Sequence, residues 1–170
     1  MKQEPLFDET IPVFILFLRN LDLLVKKGAR FIATKEKKLS DTKLITSKLA
    51  PDMYTFTQQI GYAYFMAFEV VTNLTGKQPP EFGYDEKSSA ELSESLKRAV
   101  AFLKTIRPND LKYSKGKKMR TFLNKKKTLS RETYVRSLAV PNFFFHVTTA
   151  YDIYRHLGVP LQKEDFLGKI

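Results

Sequence analysis

No cysteine or tryptophan occurs among the 170 residues, and histidine is limited to His146 and His156. The missing thiols exclude disulfides, thiolate zinc sites, iron–sulfur clusters and cysteine nucleophiles. Seven glycines are few for loops that wrap phosphates, and neither GxxxxGK(S/T) nor GxGxxG is present. Nucleotide enzymes of those two kinds are therefore excluded. Long apolar runs are also missing. Ile11 to Leu18 is the one candidate targeting segment, but it follows Glu4, Asp8 and Glu9 and lacks the basic start of a signal peptide. It is also far short of the roughly 20 residues needed to span a bilayer. A cytoplasmic protein with no membrane partner is expected.

Aromatic side chains, by contrast, are plentiful. The chain has 14 Phe and 8 Tyr, with 43% hydrophobic and 28% charged residues overall. Disordered chains lack this much core-forming surface, so one folded domain over residues 1–170 is expected. The net charge is +11 and unevenly spread: Lys112 to Lys127 holds eight basic residues and no acidic one, leaving 21 basic against 18 acidic residues elsewhere.

Apolar residues at three- and four-residue spacing predict helices over 10–36, 52–74, 89–106 and 131–157. Thr10 is placed to cap the first and Pro12 to sit in its first turn. A short helix is expected from Asp41 to Leu49. The 52–74 helix is apolar around much of its circumference, which predicts burial, and Gly76 ends it. Imperfect alternation between Lys112 and Ser130 predicts a short hairpin turning near Asn124. Pro141 predicts a kink or break in the last helix, which Ser130 opens and Gly158 closes. The fold class expected is all-α: a four-helix bundle with a small β-hairpin inserted before the last helix.

The segments Pro141-Asn142-Phe143-Phe144-Phe145-His146-Val147-Thr148-Thr149-Ala150-Tyr151 and Tyr154-Arg155-His156-Leu157-Gly158-Val159-Pro160-Leu161 resemble the domain of unknown function DUF1993, grouped with DinB- and YfiT-like four-helix bundles. Leu49-Ala50-Pro51-Asp52-Met53 and Asp165-Phe166-Leu167-Gly168 are similar to further segments of that family. The resemblance implies a bundle, often homodimeric, related to proteins that hold a divalent metal with three His. Relatives in the wider group include thiol-dependent transferases and maleylpyruvate isomerase-like enzymes. Met66 and Ala150 stand where similar sequences carry His.

His146 and His156 lie ten residues apart, about 15 Å along a helix axis, too far to share one ion at metal–nitrogen distances of about 2 Å. No metal or other cofactor is expected; if a divalent metal were held, His146 and Glu69 would be its ligands. The residues leave open whether the chain is an enzyme. One reading is a small-molecule-binding scaffold with a degenerate metal site and a ligand pocket of His146, Gln59, Tyr64 and Tyr151. The alternative is a non-enzymatic interaction protein whose basic hairpin contacts an acidic partner or nucleic acid through Lys117, Lys118, Arg120, Lys125, Lys126 and Lys127. No nucleic-acid motif accompanies that strip, which ranks nucleic acid below a plain solvated loop; a nuclear-import-like signal is a further reading of 124–127. Phe143, Phe144 and Phe145 point about 100° apart on a helix, so at least one must leave the core, and a homodimer contact is expected to cover it.

Overall fold

The computed structural model describes residues 4–34, 39–120 and 127–168. A short α1 (Pro5–Asp8) leads into α2 (Ile11–Ile32), followed by α3 (Asp41–Thr46), α4 (Phe56–Thr75) and α5 (Ser89–Leu103). A 3-10 helix over Pro108–Ser114 precedes strands β1 (Lys118–Arg120) and β2 (Thr128–Ser130). The last long helix is continuous in three pieces: α6 (Arg131–Tyr134), a π-helical turn (Val135–Ala139) and α7 (Val140–His156). A short α8 (Lys163–Leu167) follows. The fold is an all-α bundle of four long helices, α2 packing along α5 and α4 along α7.

The helix starts follow local capping chemistry. Ser40, Ser88 and Ser130 each accept from the backbone N–H three residues on. Thr55 and Gln58 form a reciprocal capping box, so α4 starts at Phe56 rather than at residue 52. Thr10 does not cap α2 as expected. Its hydroxyl donates instead to the Leu6 carbonyl at 2.5 Å, because α1 leaves that carbonyl unpaired immediately before α2 begins. Gly76 closes α4 in the left-handed region at φ 73°, as expected from the sequence.

Two other expectations change in form. The hairpin pairs Lys118 with Ser130 and Arg120 with Thr128, but residues 112–114 belong to the 3-10 helix, and the turn near Asn124 lies outside the described residues. At Pro141 the helix does not break. Pro141 brings no N–H and its ring would press on the carbonyl four residues back. The turn just before it widens to π geometry, with the Val140 N–H bonding to the Val135 carbonyl.

The core is continuous through all four long helices, from Phe14, Leu18 and Leu21 on α2 to Ile60, Leu96 and Phe143 on α4, α5 and α7. α8 seals one edge. Asn20 donates to the Phe166 carbonyl at 2.9 Å, Lys27 pairs with Asp165 at 2.6 Å, and Tyr151 meets the Phe166 ring edge-on at 5.7 Å. Among the described residues no helix is long and apolar enough to cross a membrane.

Candidate functional site: an aromatic hollow beside His146

The inner face of α4, carrying Ile60, Ala63 and Ala67, is buried as its apolar spacing requires. Its outer face is not. Tyr62 and Phe65 are each 38% exposed, and with Gln58 they form a stripe at helical spacing that points away from the core. The helix expected to be buried therefore presents an aromatic edge to solvent.

Around that edge the rings are ordered. Tyr62 stacks on Tyr54 (4.6 Å between centroids, 17° between planes) and on His146 (5.3 Å, 19°). The Tyr54 hydroxyl donates to that of Tyr62 at 3.2 Å, a contact that, with burial, raises the Tyr62 pKa. Phe65 stands nearly perpendicular to both Tyr62 and Tyr84, 6.2 Å from each. Gln58, Gly61, Tyr62, Phe65 and Tyr84 line an open hollow of about 350 Å³, within the size range of small-ligand pockets.

At the α7 side of Tyr62, His146 is buried and its Nδ1 lies 2.7 Å from the Gln59 side-chain oxygen. Burial penalises the imidazolium and pushes the His146 pKa down to about 4. The ring is neutral at pH 7. With the Gln59 oxygen as acceptor, Nδ1 carries the proton and Nε2 keeps a lone pair.

Of the four residues expected to form one pocket, the structure brings two together, His146 and Gln59. The Tyr64 hydroxyl donates to Glu86 at 3.1 Å, and Tyr151 turns to Phe166. Tyr64 is five residues beyond Gln59, and Tyr151 five beyond His146. Five steps of 100° rotate a side chain to another flank of its helix. The ring that stacks on His146 is instead that of Tyr62. Its helical spacing with Gln58 and Phe65 is legible in the sequence, where it reads equally as core packing.

Glu69 is not brought to His146 either. It lies about 15 Å further along α4 than Gln59, beside Tyr134, whose hydroxyl accepts from Asn73 at 2.9 Å. Burial raises the Glu69 pKa. His156 is exposed in the last turn of α7. Met66 and Ala150 are both buried and apolar. Among the described residues no group of three or more His, Asp or Glu side chains is placed to hold a metal ion. The three-His metal implied by the resemblance does not fit these residues.

In the hairpin, Lys118 and Arg120 are exposed on β1 and Lys127 precedes β2. Lys125 and Lys126 lie outside the described residues. Lys117 sits 3.2 Å above the Tyr113 ring of its own chain. A second hollow of about 290 Å³ includes Lys115, Lys117, Lys118 and Arg131, but also Glu4 and Glu132. Arg131 is already committed to Glu4, to the Leu111 carbonyl and to Ser114.

Residues 6–167 match the domain of unknown function DUF1993. The chain belongs to the DUF1993 family. It is also similar to the crystal structure of a DinB family member protein from Shewanella denitrificans, with 30% identity and a TM-score of 0.88 over 97% of this chain and 93% of that one. No curated protein matches the sequence. The DUF1993 match spans both halves of the site, α4 with Tyr62 and α7 with His146.

Proposed function

We propose that this DUF1993 protein is a small-molecule-binding scaffold, a single bundle domain whose binding site is the aromatic hollow on α4. The observation that carries this reading is the hollow itself: three aromatic rings around about 350 Å³, continuous through Tyr62 with the neutral His146–Gln59 pair. The rings supply contact area and the Gln58 amide supplies direction, the usual division of labour in a ligand pocket. His146 and Gln59 are what a degenerate metal site retains here: a buried hydrogen-bonded pair on which the Tyr62 ring of the hollow stacks.

Titrating 15N-labelled protein with indole, choline and 3,3-dimethyl-1-butanol tests the reading. At least one probe is expected to give saturable amide shifts centred on Gly61, Phe65 and Tyr84. Shifts with none of them, or shifts scattered over the bundle, would sink it.

A homodimer is favoured by a separate observation. Phe145 is 54% exposed, Tyr54 44% and Leu49 40%, and aromatic surface of this kind marks contact sites. Light scattering on the eluting protein is expected to give twice the chain mass, falling to the monomer mass for Phe145→Ser. A wild-type monomer at high micromolar concentration would refute the dimer.

A further inference from the structure

Within the binding reading, the walls of the hollow specify a charge as well as a size. Tyr62 stacks on Tyr54 and on His146. Tyr84 is backed by Tyr64, on which it stacks at 5.2 Å and 21°. Tyr62 and Tyr84 both line the hollow, with Phe65 nearly perpendicular to each. Three aromatic rings set around one space concentrate the negative faces of their π-systems, which attract organic cations.

The position of Tyr84 is held at a cost. Its φ of 55° is the only positive value among the described non-glycine residues, a conformation a bulky side chain rarely takes. Backbone outliers of this kind concentrate at ligand sites, where the surroundings enforce them. At Gly61 an added Cβ would lie 3.4 Å from Tyr84 Cδ1, so the absence of a side chain there leaves the Tyr84 ring close against α4.

Charge near the hollow has the matching sign. Glu86 accepts from Tyr64, while its other oxygen, Oε2, is buried without a hydrogen-bond partner. Its charge reaches Tyr84, helping to raise that phenol's pKa alongside burial. Of the cations nearby, Arg98 is already engaged. The Arg98 guanidinium lies 4.6 Å over the Phe82 ring and donates to the Glu81 carbonyl, and Lys87 is directed to Asp85 at 3.9 Å. Phe82 packs on Tyr64 at 5.0 Å, so this aromatic cluster already holds one cation on a ring face.

We propose that the hollow formed by Tyr62, Phe65 and Tyr84 is an aromatic cage for a small organic cation of the quaternary or methylated ammonium class, with Glu86 supplying the counter-charge. This rests on the binding reading above and names its ligand class. A neutral flat ring would use the same walls but would gain nothing from Glu86.

The test compares choline with 3,3-dimethyl-1-butanol, which has the same shape without the charge, and with indole. Amide shifts at Gly61 and Tyr84 give each dissociation constant. Choline is expected to bind about tenfold more tightly than the neutral isostere. Phe65→Leu, at an exposed position, is expected to weaken choline about fivefold, and Phe65→Trp to restore or improve it, since Trp is the best cation–π ring. Glu86→Gln keeps an acceptor for Tyr64 and is expected to weaken choline while leaving the neutral alcohol unchanged. Equal binding of choline and the alcohol, or binding of indole alone, would overturn the cation assignment and leave the small-molecule reading standing. Binding of none of the three would overturn both.

Discussion

Phe143→Ala is expected to lower the unfolding free energy by about 4 kcal/mol, whereas Phe145→Ser, two residues on, should leave the stability of the monomer nearly unchanged. Phe143 is completely buried and lies 4.6 Å from the Phe14 ring; truncating such a residue removes its transfer energy and leaves a cavity that α2 and α7 cannot close. Phe144, between them, is half-buried, packing edge-on against Phe17 at 4.7 Å. Phe145 is 54% exposed, so a serine there removes little buried surface. A domain of this size has only about 5 to 15 kcal/mol of stability in all, so the Phe143 change should be plain in a urea unfolding curve. Equal midpoints for the two variants would show that the helical phase of α7 is misassigned.

Acid should destabilise the protein through His146 by up to about 3 kcal/mol. In the unfolded chain this imidazole takes up its proton near pH 6.5, but in the folded protein only near pH 4, because burial disfavours the cation. Between those values the unfolded state binds more protons, so stability rises with pH across the window and is lost as the pH falls. Above pH 6.5 the group contributes no pH dependence, and below pH 4 the loss is complete. At about 1.4 kcal/mol per unit of difference, the interval gives the figure quoted. Glu69 acts in the opposite sense, its carboxyl being held above the ordinary value by burial, so the wild type must be compared with His146→Gln rather than read alone. Urea midpoints at pH 7, 5.5 and 4 should converge for the two proteins as the pH falls. A constant gap would mean that the imidazole is not buried as a neutral group.

The same imidazole shows where sequence reasoning reaches its end. His146 and Gln59 are candidates from the sequence because both are polar residues among apolar ones on helices of a bundle, and polar groups in such places need partners. Tyr64 and Tyr151 meet the same description. What separates them is angular position about the helix axis relative to the neighbouring helix, and that depends on how α4 and α7 are rotated and staggered. Tyr62 illustrates the converse. A tyrosine on an apolar helix is expected to pack inside, and only the placement of α4 at the rim of the bundle leaves it beside His146 and open to the hollow.

Local chemistry alone determined most of the element boundaries and the fold class. Apolar repeats at helical spacing, serines before helices, Gly76 after one and prolines that stop or widen others act within a few residues of chain, so they can be read without knowing what packs against what. The spacing of the two histidines along one helix is enough, in the same way, to exclude a metal ion shared between them. The tertiary structure alone decided which face of α4 is open and that Tyr84, from the connection between α4 and α5, closes the hollow over Gly61. It also decided that Glu86 stands behind Tyr64 and that Glu69 lies beside Tyr134 rather than His146. Each of these is a contact between segments distant in the chain. Such contacts are fixed by helix rotation and stagger, which the summed packing of the whole core sets and no local pattern encodes.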